Sequence, residues 1–139
     1  MRVVLDTNLL VSAFLNPRGA PGEVVDMVMT GELELCVDDR ILTEYAEVLC
    51  RPRLSLPTEE VNTLLAGIRD TAVWVPSAPL RVTLPDMADA PFLEVAIAAD
   101  AILVTGNARH FLHEARRGVK VVSPREFLDW YHSLESDLT

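Results

Sequence analysis

Short apolar runs alternate with longer amphipathic segments along this chain, and that alternation limits the possible folds more than any other feature. The runs are rich in Val, Ile and Leu, and they lack the strict apolar–polar alternation of a strand that faces water on one side. Such runs are typical of strands that are buried on both faces of a parallel sheet. We therefore predict strands at 3–6, 33–37, 101–104 and 119–122, with a further one at 71–75.

The segments between these runs carry apolar residues at helical spacing. Predicted helices occupy 8–15, a stretch after Pro21, 40–49, 58–70, a stretch after Asp89, and the segment after Ser123. Asp38 or Asp39 is suited to cap the helix 40–49, and Ser123 and Glu126 have the spacing of a capping box. Strands that alternate with helices predict an α/β fold, in which helices cover both faces of a parallel sheet.

The length of 139 residues suits one domain, predicted over 1–139, with its last few polar residues frayed. The apolar N-terminal stretch is interrupted by Asp6 and lacks the basic flank and cleavage site of a signal peptide. No apolar run reaches the roughly 18 residues of a membrane span. A cytoplasmic protein with no membrane association is therefore expected, in which Cys36 and Cys50 are small buried hydrophobic residues rather than a disulfide.

The formal net charge is −9, from 21 acidic and 12 basic residues. This balance is the opposite of the basic footprint that most nucleic-acid-binding proteins show. However, eleven of the basic residues are Arg, the cation best suited to phosphate, and a bound divalent metal would invert the local charge of an acidic site. The acidity would equally suit a basic partner protein.

Polar residues follow two of the predicted strands at the edge where open α/β sheets bind ligands. Asp6-Thr7-Asn8 ends the first strand, and Thr105-Gly106-Asn107 follows the strand at 101–104. Because both strands are parallel, these two groups of side chains are expected at the same edge of the sheet.

Two further carboxylates are expected near that edge because of the helices that carry them. Asp89 precedes the helix that leads into the strand 101–104, and Glu44 lies about one turn into the helix after the strand 33–37. Converging carboxylates repel one another unless a cation lies between them, and oxygen ligands suit Mg²⁺ or Mn²⁺. The residues alone therefore predict an acidic metal site on an α/β domain, and they do not indicate RNA.

Each candidate residue also has a purely structural interpretation. Asp6 would be a costly buried charge without a function, whereas Glu44 stands near Glu47 as on a solvated helix face. Asp89 could simply cap a helix, Asn107 could be a turn residue, and Asp86 and Glu94 are of the type usually found at the surface. His110 and His113 would need further ligands to form a zinc site.

Four blocks of the sequence resemble PIN domains, in the order in which that family carries them. The opening VVLDTNLLVSAFL resembles the first strand, where Asp followed by Thr-Asn is the first metal-binding acid. The stretch LTEYAEVLCRP is similar to the second signature of the bacterial toxin-like subfamily, with Glu44 as the second acid. The stretch DMADAPFLEVAIAADAILVTGNARHF resembles the third and most specific block, and VKVVSPREFLDW resembles the final strand and helix.

The resemblance implies a three-layer α/β/α sandwich with a parallel sheet of four to five strands. It also implies Mg²⁺- or Mn²⁺-dependent cleavage of single-stranded RNA by a VapC-like toxin, with an antitoxin that blocks the site and often a homodimer. The implied metal ligands are Asp6, Glu44, Asp89 and Asn107, the implied substrate-supporting residues are Asn8, Thr105 and Arg109, and the secondary candidates are Asp86 and Glu94.

Two departures from the family pattern bear on these assignments. Asn107 stands where many relatives carry Asp, so one negative charge is missing, and a weaker second metal site and lower activity are expected. The segment between Ala98 and Leu103 is about one residue shorter than in relatives, so Asp100 is left out of the site. The hypothesised phosphate contacts are Arg51, Arg53, Arg109, Arg116 and Arg117.

Three rival functions differ in class. A catalytically weak or inactive PIN-fold module would bind RNA or protein without cleaving it. A phosphoacceptor receiver domain would also have an acidic pocket on a parallel sheet, but it requires paired acids after the first strand, where Leu5-Asp6 offers one. A dehalogenase-type phosphatase requires a second Asp two positions after the first, and Asn8 occupies that position.

Overall fold

The computed structural model describes residues 1–80 and 83–138. Its strands are β1 (Arg2–Leu5), β2 (Glu34–Val37), β3 (Val73–Trp74), β4 (Ile102–Val104) and β5 (Val121–Val122). Its α-helices are α1 (Thr7–Leu15), α2 (Ala20–Met29), α3 (Asp39–Leu49), α4 (Thr58–Thr71), α5 (Ala90–Ala99) and α6 (Pro124–Asp137). Short 3₁₀ helices lie at Pro52–Leu54, Met87–Asp89, Ala108–His110 and His113–Ala115.

The strands form one parallel sheet in the order β3-β2-β1-β4-β5. The central strand β1 pairs with β2 on one side and with β4 on the other, where Leu5 lies opposite Val104. Helix α5 packs against β1, β2 and β4, whereas α2 packs against α1 and α6. This arrangement confirms the predicted three-layer α/β/α sandwich, with five strands in the sheet.

The sequence signals for helix ends have clear counterparts. Asp38 Oδ1 accepts a hydrogen bond of 2.9 Å from the Ile41 N–H and thereby caps α3. Ser123 and Glu126 form the predicted capping box at the start of α6, each side chain accepting from the other residue's backbone N–H at 3.1 Å. Helix α6 continues to Asp137, and fraying of the last residues stays a prediction.

Two predictions about this framework need correction, one on the burial of the cysteines and one on the length of β3. Cys36 is buried as expected, but Cys50 follows the end of α3 and is exposed. Strand β3 is shorter than the predicted 71–75, because α4 continues through Thr71. Within 1–80 and 83–138, the longest helices have 14 residues, and none combines the length and apolarity needed to cross a bilayer.

Arg40 joins three segments that are distant in sequence. Its guanidinium donates to Asp38 Oδ2 at 2.7 Å, to Glu94 Oε1 at 2.7 Å and to Ser77 Oγ at 3.0 Å. The other oxygen of Glu94, Oε2, accepts from the Leu80 N–H at 2.7 Å. Glu94 is only 5% exposed, which corrects its expected surface position, because α5 turns this residue inward and Arg40 supplies the countercharge. The network therefore links α3, which carries Glu44, to α5, which begins directly after Asp89.

We expect Arg40→Ala to lower the free energy of unfolding by about 2–3 kcal/mol, because the buried Glu94 carboxylate loses its ion-pair partner. Urea unfolding would measure the change. Arg51→Ala is the matched control, since it removes an exposed pair with Glu47 at 3.4 Å and should cost less than about 0.5 kcal/mol. Equal small effects of both substitutions would contradict a stabilising role for the Arg40 network.

Candidate active site at the carboxyl edge of the sheet

The carboxyl ends of β1 and β4 place Asp6 next to Thr105. The Asp6 N–H donates to the Val104 carbonyl at 3.1 Å, which extends the β1–β4 pairing by one residue. The Asp6 side chain is 5% exposed, and its Oδ2 accepts from the fully buried Thr105 Oγ1 at 2.7 Å. Thr105 Oγ1 in turn accepts from the Asn107 N–H at 3.0 Å. One hydroxyl therefore fixes both the Asp6 carboxylate and the turn that follows β4.

Glu44 reaches the same edge from α3. The buried Thr7 hydroxyl donates a hydrogen bond to Glu44 Oε2. Glu44 is half-buried, and its neighbour Tyr45 is fully buried and donates to the Leu5 carbonyl at 2.6 Å. Glu44 is thus held at this edge of the sheet, because Thr7 binds its carboxylate and Tyr45 anchors this turn of α3 on the end of β1.

Asp89 contributes the third carboxylate, in an electrostatically unfavourable position. Its side chain is 16% exposed, and its Oδ2 is buried with no hydrogen-bond partner among the described residues. A potential cationic neighbour is His110, whose Nδ1 lies 3.5 Å from that oxygen. Burial raises the pKa of Asp89 to about 6, with further contributions from the negative charges of Asp6 and Asp86 and an opposing one from His110.

The predicted capping role of Asp89 is not realised. Asp89 directly precedes α5, but it belongs to the 3₁₀ turn Met87–Asp89 and has helical backbone angles, φ −79° and ψ −15°. An N-cap residue usually has an extended backbone, which turns its side chain toward the first N–H groups of the helix. The Asp89 side chain makes no such bond, so its carboxylate stays available at the site.

The remaining predicted residues lie at or around this edge in different environments. Asn107 is half-buried, whereas Asn8 and Arg109 are exposed. Asp86 is exposed, and its Oδ1 caps the 3₁₀ turn by accepting from the Ala88 N–H at 2.9 Å. Asp100, which is not among the predicted site residues, lies at the opposite end of α5 from Asp89.

Arg116 does not fit the hypothesis that it contacts phosphate. Its guanidinium donates to the Phe111 carbonyl at 2.8 Å and to the Ala108 carbonyl at 3.0 Å. The side chain thus holds together the loop between β4 and β5, which presents Arg109 and His110. The Ala108 carbonyl also accepts the Phe111 N–H at 3.1 Å, so Arg116 reinforces the first of the two short 3₁₀ turns.

The donor set at this edge suits a hard divalent cation, although it is not assembled into a compact cage. Within the described ranges, no three His, Cys, Asp or Glu side chains stand close enough together to hold a metal ion by themselves. Mg²⁺, however, usually keeps several waters and binds through one or two carboxylates. The unpartnered Asp89 oxygen and the raised pKa of its carboxyl are what a site that attracts a cation would show.

Sequence reasoning missed Thr7 and His110 as members of this site. Thr7 lies within the Asp-Thr-Asn motif, but nothing in a linear pattern indicates that its hydroxyl meets Glu44, which is 37 positions away. The sequence suggests His110 only as a zinc ligand with His113. Its position beside Asp89 depends on the path of the loop after β4.

Comparison with known proteins identifies the family to which this chain belongs. The sequence profile of the PIN domain matches residues 2–109, more than three quarters of the chain. The chain belongs to the PIN-domain family. PIN domains are generally nucleases, so membership points to that class of enzyme.

The similar proteins extend the likeness over nearly the whole chain. The uncharacterized protein MJ1680 of Methanocaldococcus jannaschii is 26% identical to this PIN domain, with 98% of this chain and 95% of that protein covered. The crystal structure of VapBC2 from Rickettsia felis bound to a DNA fragment from their promoter is similar with a TM-score of 0.61, 18% identity, and coverage of 88% of this chain and 98% of that chain. The crystal structure of PAE2754 from Pyrobaculum aerophilum is similar with a TM-score of 0.60 and 14% identity. This likeness covers 96% of this chain and 90% of that chain. At these identities, the two structures establish the shared fold.

We expect Asp89→Asn to raise the free energy of unfolding of the metal-free protein by about 1–2 kcal/mol at pH 8. The folded-state pKa of about 6 exceeds the ordinary value of 3.8, so the wild-type protein should lose stability as the pH rises through this interval and stay less stable above it. Urea unfolding at pH 4 and pH 8 would show whether the gain appears only at the higher pH. Asp100→Asn is the control at the other end of α5, and an equal gain there would contradict the attribution of the effect to the burial of Asp89 beside other carboxylates.

Proposed function

We propose that this PIN domain is a metal-dependent endoribonuclease that cleaves single-stranded RNA with Mg²⁺ or Mn²⁺, and that it acts as the toxin of a toxin–antitoxin pair in the cytoplasm. The observation that carries the proposal is the convergence of Asp6, Glu44 and Asp89 on one edge of the sheet, with one Asp89 oxygen buried and unpartnered among the described residues. Such an oxygen is costly to bury unless a ligand satisfies it.

In this proposal Asp6, Glu44 and Asp89 hold the cation, and Asn107 is a further ligand. When bound, the cation would activate water and stabilise the negative charge that develops on the phosphate. The protein's own contribution is orientation. Thr105 holds one oxygen of Asp6 at 2.7 Å and Thr7 holds one oxygen of Glu44, so each carboxylate keeps its other oxygen for the site.

RNA as the substrate is supported by the charge of the loop that borders the site. The loop 105–120 contains Arg109, Arg116, Arg117 and Lys120 with Glu114 as its acidic residue, which gives a net charge of +3 in a chain of net charge −9. Arg109 is exposed and lies two residues after Asn107. An exposed cation next to a metal site is placed to contact the phosphate backbone of a strand that enters the site.

Cleavage of a labelled single-stranded RNA in Mn²⁺, Mg²⁺ or EDTA would test the activity. We expect metal-dependent cleavage by the wild-type protein and a loss of about 100-fold or more in Asp6→Asn and Asp89→Asn, because each removes a charge that binds the cation. Asp100→Asn should cleave like the wild type. Equal cleavage by all four proteins would point to a contaminating nuclease.

The second candidate is a PIN-fold module that binds RNA without cleaving it. Two observations favour this candidate: Asn107 contributes no charge, and the described acidic side chains do not form a compact metal cage. RNA binding by the wild-type protein, without cleavage of several RNAs in either metal, would replace the nuclease proposal with this one.

The antitoxin partner is proposed to be basic and amphipathic where it contacts this chain. A hollow of about 550 Å³ lies between α1, α2 and α4, and its lining includes the apolar Phe14, Val25, Met29 and Leu64 and the exposed acidic residues Asp26, Glu59 and Glu60. Apolar patches with a charged rim are typical of protein interfaces, and the acidic residues select positive charge. The similar structure from Rickettsia felis is itself a VapBC2 complex, which supports the presence of an antitoxin partner.

Co-expression with the protein encoded beside this gene would test the partner. We expect that protein to inhibit RNA cleavage, and Met29→Glu to weaken the inhibition at least about tenfold by placing a charge among the apolar residues of the hollow. Leu134→Glu, which changes an exposed leucine of α6, is the control. Unaltered inhibition of the Met29 variant would place the partner elsewhere.

A homodimer stays a prediction, which light scattering on the purified protein would measure.

A further inference from the structure

We propose that His110 is a nitrogen ligand of the cation at this site, next to Asp89, so that the site prefers a first-row transition-metal cation to Mg²⁺. The inference rests on the proposed metal-binding function and names one more ligand for it. Among the described residues, His110 is the histidine whose ring contacts one of the three carboxylates.

The distance between the two side chains suits two ligands of one ion. His110 Nδ1 and Asp89 Oδ2 are 3.5 Å apart, which is longer than an ordinary N–H···O hydrogen bond. Neighbouring ligand atoms around an octahedral cation, each about 2.1 Å from the metal, are about 3 Å apart. Closing this gap requires a movement of about half an ångström, within the reach of a side-chain rotation.

The backbone of His110 is held in place while its ring remains accessible. The His110 N–H donates to the Asn107 carbonyl at 2.9 Å, and the next residue, Phe111, is fully buried. Arg116 binds the carbonyls on both sides of His110, those of Ala108 and Phe111. The ring is 40% exposed, so it can adjust without disturbing this framework. A loop held in this way presents the imidazole to Asp89 at a defined position.

Ligand chemistry then determines which cations are preferred. Carboxylate, carbonyl and water oxygens suit both Mg²⁺ and Mn²⁺, and it is an added imidazole nitrogen that favours the first-row transition metal over Mg²⁺. The buried Asp89 oxygen has no hydrogen-bond donor among the described residues, so a cation placed between it and His110 would satisfy both groups. In the alternative arrangement, His110 and Asp89 form only an ion pair. A bound cation would then displace the His110 ring, and the ring nitrogen would not contact the metal.

Electron spin-echo spectroscopy of Mn²⁺ bound to the full chain distinguishes these two arrangements, because it detects nitrogen-14 of a coordinated imidazole. The chain has three histidines, His110, His113 and His132. We expect the imidazole signal in the wild type and in His113→Asn, and its loss in His110→Asn. His113 is exposed and lies in the same loop, which makes it the matched control.

Titration calorimetry with Mn²⁺ and with Mg²⁺ gives an independent readout. We expect His110→Asn to weaken Mn²⁺ binding about tenfold or more and to change Mg²⁺ binding less than about threefold. Circular dichroism and thermal unfolding of the metal-free variants would verify that both histidine variants fold alike. An equal loss for the two cations would contradict nitrogen coordination.

The outcomes separate this inference from the proposed function. Mn²⁺ binding without a nitrogen signal, or with a signal that persists in His110→Asn, overturns the role of His110 and leaves the carboxylate site intact. No Mn²⁺ binding by the wild-type protein overturns both. The nitrogen signal lost only in His110→Asn, together with the selective loss of Mn²⁺ affinity, establishes the ligand.

Discussion

The pairing of β1 with β4 is the interaction on which the arrangement of this protein depends. It joins two strands whose sequences are nearly 100 residues apart, with Val3, Val4 and Leu5 opposite Ile102, Leu103 and Val104. Because side chains alternate across a sheet, a slip of one residue would turn every side chain of the strand to the other face. The observed register places Asp6 directly against Thr105, and the other candidate residues are arranged around this pair.

Two carboxylates around α5 show how the same fold treats buried charge in opposite ways. Glu94 is buried, and both of its oxygens have partners, Arg40 and the Leu80 N–H. Asp89, five positions earlier, has a buried oxygen without a hydrogen-bond donor among the described residues, and its pKa is raised by burial and by neighbouring negative charge. The satisfied carboxylate supports the framework, whereas the unsatisfied one is of the kind that functional sites retain at a cost in stability.

Local sequence rules predicted the features that depend on near neighbours. The apolar runs around Val3 and Leu103 became central strands, and the capping box at Ser123 formed as expected, because these outcomes are decided within a few residues. The rules failed where distant segments meet. Glu94 looked like a surface residue until Arg40 was placed against it, and Arg116 looked like a free cation although its guanidinium binds two carbonyls of its own loop. Asp89 precedes its helix as predicted, yet the 3₁₀ turn before it prevents the capping bond.

The sequence by itself determined that the chain forms an α/β domain with a parallel sheet, and that acidic residues follow its strands or begin its helices. Periodicity, capping residues and the ends of apolar runs carry that information, since they act over the length of one element. Only the tertiary structure decided that Thr7 meets Glu44, that Thr105 holds Asp6, and that His110 stands beside Asp89. These contacts join residues that are 37, 99 and 21 positions apart, and they depend on strand register and loop path, which no local pattern encodes.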